Sequence, residues 1–66
     1  MLNRETNMPV AICIDDNGHI WALDSNGNRV PSAQIKRVHF PEDGTQPWGD
    51  VKWRGQYFGR LLVHSC

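Results

Sequence analysis

A chain of 66 residues with seven Lys/Arg against seven Asp/Glu is one small domain of zero formal charge. It is too short to enclose a deep substrate cavity and too balanced to coat nucleic acid through bulk charge. A hydrophobic share of 39%, with three tryptophans, one tyrosine and two phenylalanines, excludes a disordered tail.

Residues 1–8, polar and without period, read as a flexible N-terminal arm, and the ordered domain is expected over 9–66. From Val10 the alternation begins: Val10, Ile12 and Ile14 share one face and Ala11 and Cys13 the other. Apolar residues on both faces predict a central strand. Asn17-Gly18 and Asn26-Gly27 bracket a second strand, His19 to Asp24, and Asn-Gly predicts two-residue hairpin turns of type I′, in which both residues take positive φ. Pro31 cannot donate to a ladder, so Arg29 to Ser32 reads as an edge or a bulge before a third strand, Ala33 to Phe40. Strict alternation there sets Ile35, Arg37 and His39 against Lys36, Val38 and Phe40.

Pro41 to Asp50 carries two prolines and two glycines and reads as the longest loop, with Trp48 in its second half. Val51 to Arg54 and Tyr57 to His64 complete the strands, with Gly59 a bulge or a barrel corner. The prediction is an all-β antiparallel meander of about five short strands, closing into an SH3-like or OB-like small barrel that removes its exposed edges.

Sites for chemistry fail on their spacing. Asp24, Asn26 and Asn28 offer oxygens at alternate positions, yet the glycine comes two residues early for a calcium loop and Ile35 stands where a bidentate Glu is needed. Cys13, His19, His39, His64 and Cys66 form no paired zinc spacing. Cys13 lies between isoleucines, where desolvation leaves a thiol inert. The expectation is a non-enzyme without metal or cofactor. The two cysteines form no spaced disulfide framework, which points to a reducing compartment. With no leader-like or membrane-spanning segment in sight, a cytoplasmic chain with no membrane partner is expected.

The remaining signal is Trp48, Lys52, Trp53, Arg54, Tyr57, Phe58 and Arg60, where aromatics interleave with cations, extended by Lys36, Arg37, His39 and Phe40. Trp21 and Trp53 are expected in the core, and Trp48, in its loop, is the expected anchor. Partner-binding residues are then Trp48, Lys52, Arg54, Tyr57, Arg60, Lys36 and Arg37. Charge is also split: residues 1–27 hold Arg4 against Glu5, Asp15, Asp16 and Asp24, net −3, and residues 28–66 carry +3. Trp, Tyr and Arg are the residues enriched at protein–protein hot spots, so the reading is a binding module for a protein, an inhibitor or adaptor such as a mobile-element factor that blocks a host or defence enzyme. The alternative is a small barrel that binds nucleic acid through segment 48–60, stacking bases on its aromatics. Homo-oligomers through edge strands are compatible with either.

Overall fold

The computed structural model describes residues 8–66, and the expected N-terminal arm therefore lies, but for Met8, outside the described residues. The strands are β1 (Ala11–Ile14), β2 (Ile20–Leu23), β3 (Ala33–His39), β4 (Trp48–Trp53) and β5 (Gln56–Ser65). They form one five-stranded sheet in the order β2-β1-β5-β4-β3, curled into a half-barrel in which β2 and β3, the two ends of the order, pack against each other. The domain is all-β as expected. β1 is central, as its two apolar faces require, and it joins the hairpin β1–β2 to the β3–β4–β5 sheet through a parallel pairing, Ile12 to Val63, Cys13 to His64 and Ile14 to Ser65. A parallel pair needs a long crossover. Here it is the whole of β2, β3 and β4, which no local signal reveals.

The two Asn-Gly turns differ from expectation. Gly18 and Gly27 have φ of 87° and 84°, but Asn17 and Asn26 do not take positive φ. Asp15 and Asp24 instead head two loops of one pattern, Asp-x-Asn-Gly. The Gly N–H donates to the Asp carbonyl (3.1 and 3.0 Å), and the Asp Oδ1 accepts from the backbone N–H two residues on (2.9 and 2.8 Å) and four residues on (2.9 Å in both). This is a type I turn followed by a left-handed glycine, and the Asp carboxylate fixes it by replacing the turn's missing backbone acceptors. The I′ turn is at Arg54-Gly55, where φ is 58° and 78°. Arginine hides the signal that asparagine would give.

The N–H of His19 first, then that of Asn17, holds the Asp15 carboxyl below its ordinary 3.8, and the N–H and hydroxyl of Thr45 do the same for Asp43. A carboxylate with a depressed folded pKa contributes stability that is fully present above the unfolded value and is lost as pH falls through the folded one. Carboxyl-detected NMR titration should therefore place both groups below 3.8. A value at or above it for Asp15 would mean that the loop opens in solution.

Bulges set which side chains meet. The β3–β4 register shifts between Ile35 and Arg37, leaving Lys36 as the extra residue, and the β4–β5 register shifts between Val51 and Lys52, leaving Phe58. The strict alternation expected along β3 is thus broken: Ile35 and Val38 both turn inward, and Arg37 and His39 turn outward. Gly59 lies at the second bulge. The interior is aliphatic, with Ile12, Val51 and Val63 buried at its centre and Ile14, Ala33, Ile35, Val38 and Leu61 packed around them. No tryptophan is fully buried. A half-barrel this narrow has room for branched aliphatics but not for indoles, so Trp21 and Trp53, expected inside, are only half-buried.

Cys13 is bonded to Cys66, across a sequence separation of 53 residues and a Cα–Cα distance of 5.8 Å. Nothing in the spacing of the two cysteines predicts the pairing. β5 brings the last residue beside β1, where the Cys66 N–H donates to the Ile14 carbonyl at 2.9 Å.

Candidate interaction face

Successive side chains on a strand alternate between faces, and residues directly opposite on neighbouring strands share one. With the bulges in place, the outer face of β3–β4–β5 becomes three cross-strand rows: Gln34–Lys52–Tyr57, Arg37–Asp50–Arg60 and His39–Trp48–Leu62. The opposite face carries Ile35–Val51–Gly59 and Val38–Gly49–Leu61 into the interior. The middle strand of the grid is half-buried and the flanking strands are exposed, with Tyr57 at 65% and Leu62 at 48%.

Trp48 is therefore not a loop residue. Gly49 and Val51 fit the buried face and Trp48, Asp50 and Lys52 the outer one, so the strand begins at Trp48 and the loop before it is shorter than expected. Gln46 pins that loop by donating from Nε2 to the Val63 carbonyl at 3.0 Å. The Arg60 guanidinium lies 3.6 Å above the Trp48 ring centroid, and the His39 ring is tilted against the indole at 5.2 Å. Such a cation–π contact contributes about 0.5–1 kcal/mol at an exposed site and fixes the direction of the arginine. Arg60 Nε is 3.9 Å from Asp50 Oδ1, a long and largely solvated pair.

Of the seven residues expected to bind a partner, Arg37, Trp48, Lys52, Tyr57 and Arg60 stand together on this grid. Lys36 is the extra residue of the β3 bulge, and Arg54 is in the hairpin turn, with its guanidinium 4.6 Å from the Trp53 ring. Trp53 belongs to the other face, edge-on to Phe58 at 5.6 Å and donating from Nε1 to Ser32 Oγ at 3.1 Å. The residues missed were Gln34, Asp50 and Leu62. Parity would have found Asp50, two positions from both Trp48 and Lys52, and a turn placed at Arg54-Gly55 would have set Lys52 opposite Tyr57. The bulge at Phe58 hides Leu62.

Two open grooves lie outside the grid. One, of about 560 Å³, runs between the 40–47 loop and the end of β5, past Phe40, Gln46, Pro47 and His64. The other, of about 380 Å³, follows the seam between β2 and β3, past Trp21, Arg29 and Ile35. Among the described residues no three His, Cys, Asp or Glu side chains gather as a metal site.

The family model of the NHL repeat matches residues 6–30, less than half of the chain. The described part of that stretch is β1, β2, the two Asp-x-Asn-Gly loops and the return to Arg29, which bridges Leu23. An NHL repeat is one blade of a β-propeller, and a blade is a four-stranded sheet. Here the third segment makes one bridge before Pro31, and the other neighbour of β1 is the parallel β5. No curated protein and no solved structure matches the chain. The likeness to the NHL repeat is thus confined to the first hairpin and the segment that follows it.

Proposed function

We propose that this chain is a non-catalytic binding module that occupies the surface of a protein partner, as an adaptor or inhibitor, through the outer face of β3–β4–β5. The observation that carries the reading is the grid itself: Tyr57 and Leu62 are exposed on β5, a strand paired on both sides, beside an arginine held in place by Trp48. Tyrosine, tryptophan and arginine on a pre-ordered surface lose little side-chain freedom on binding, which is why hot spots are built from them. The likeness of residues 6–30 to the NHL repeat, a module that generally mediates protein–protein contacts, supports the same class of partner.

The nucleic-acid alternative requires aromatic faces open to bases. Arg60 covers the Trp48 ring, and Phe58 and Ser32 engage Trp53, which leaves Tyr57 as the exposed aromatic of segment 48–60. Pairing of copies along the β3 edge is disfavoured by the bulge at Lys36, a device that blunts exposed edges.

A benzophenone photocrosslinker in place of Tyr57 tests the reading in a lysate of the cells that encode the chain. The expected product is a discrete adduct that survives nuclease and disappears on proteolysis. The same group at Ser25, in the second Asp-x-Asn-Gly loop, should give none. An adduct removed by nuclease, or one formed equally from both positions, sinks the protein-binding reading.

A further inference from the structure

Charge is unbalanced on the grid of a chain that is neutral overall. Arg37, Lys52 and Arg60 stand there against the single carboxylate of Asp50. Asp50 lies between the two arginines in its row, yet its contact with Arg60 is long and the Arg60 side chain stays 59% exposed, so the guanidinium is steadied rather than neutralised. Trp48 supports it from one side at 3.6 Å. A guanidinium held over an indole still has N–H groups to offer, in the fork that matches a carboxylate. Neighbouring strands are about 4.8 Å apart, so Arg37 and Arg60, with β4 between them, have backbones roughly 10 Å apart. That spacing suits two separate acidic side chains. Tyr57 and Leu62 flank Arg60 along β5 and supply apolar contact on either side of it.

We infer that the occupant of this face is an acidic protein surface, with partner carboxylates received by Arg60 and Arg37 and apolar partner groups by Tyr57 and Leu62. The inference rests on the protein-binding reading above and names the chemistry of the partner. Carboxylates are favoured over a phosphate backbone because the indole beside Arg60 is covered by that arginine and stacks no base.

The molecule contains its own control. Arg29 lies 4.6 Å over the ring of Trp21 in the same kind of pairing, but in the segment that follows β2 and outside the grid. The experiment is a tryptophan-fluorescence titration at low salt with a poly-glutamate peptide and with single-stranded DNA and RNA of matched charge. The expected result is a salt-sensitive response to poly-glutamate that weakens about fivefold in Arg60→Gln, the effect of one partly solvated charge contact, and is unchanged in Arg29→Gln. Urea midpoints equal to wild type confirm that both variants are folded, and Arg37→Gln provides a second reading if Arg60→Gln is not. Tighter binding of either oligonucleotide, equal loss in the two arginine variants, or no response to poly-glutamate overturns the inference. If poly-glutamate fails while the Tyr57 crosslink still yields a protein adduct, the partner is a protein of another surface chemistry and the binding-module reading stands.

Discussion

Gly49→Ala is expected to lower stability by about 2 kcal/mol, since overpacking a filled interior, with the backbone shifts it forces, costs roughly 1–3 kcal/mol. A Cβ at Gly49 would stand 2.7 Å from the Arg37 carbonyl oxygen and 2.8 Å from Ile12 Cδ1, with Val38 Cγ2 at 3.3 Å. Neither close neighbour can yield cheaply. The carbonyl is part of strand β3, and Ile12 is completely buried at the centre of the core. A domain of this size has on the order of 3–10 kcal/mol in total, so the variant should lose roughly a fifth to two thirds of its stability. Urea unfolding followed by tryptophan fluorescence measures the loss. Adding Ile12→Val, which removes Cδ1, should recover part of it, because residues in contact do not add independently. An unchanged midpoint in Gly49→Ala would mean that β4 sits further from β1 than the structure places it.

The second large effect is expected from opening Cys13–Cys66. Closing a loop with a sequence separation of 53 removes chain entropy equivalent to about 4 kcal/mol from the unfolded state, with 2–4 kcal/mol typical in practice. The bond also lies where the sheet is least continuous, since β1 and β5 share three register pairs while β4 and β5 share six. Reductant should lower the urea midpoint of wild type and leave Cys66→Ser, already lowered, where it is. If reductant leaves the wild-type midpoint unmoved, the pair is open in solution. A reducing compartment, expected from the sequence, keeps most such pairs open. The closed bond and that expectation make opposite demands, and the midpoint shift measures how much fold stability depends on the answer.

Much of the architecture was legible because it is written in short-range alternation. Ile12 and Cys13 on opposite faces marked β1 as central, and the boundaries of β2 and β3 followed from Asn-Gly, Pro31 and Pro41. What stayed hidden was non-local or off-period. The parallel partner of β1 lies some fifty residues away, and nothing in Val63-His64-Ser65 names it. Lys36 and Phe58 each add one residue to a strand, which reverses the faces assigned beyond them, so Arg37 and Ile35 look like neighbours in sequence but point to opposite sides. Trp48 was misplaced because Pro47 and Gly49 read as loop, although Gly49 is there for the close approach of β1 and β3. The candidate site was legible as a composition, aromatics among cations, and illegible as a surface until the bulges were known.

The Cys13–Cys66 bond also determines how the chain would carry mechanical load. Tension applied between Met8 and Cys66 passes through the covalent link at Cys13 and bypasses β2, β3, β4 and β5 altogether. Only the stretch from Met8 to Cys13 can extend, on the order of 17 Å at full reach. Once the bond is opened, the same tension falls on the parallel β1–β5 pair along its length, so that its hydrogen bonds resist together in shear. The sheet thus has two mechanical regimes, one in which β2 to β5 carry no load and one in which the β1–β5 pair does, and the change between them is the gain or loss of a single sulfur–sulfur bond.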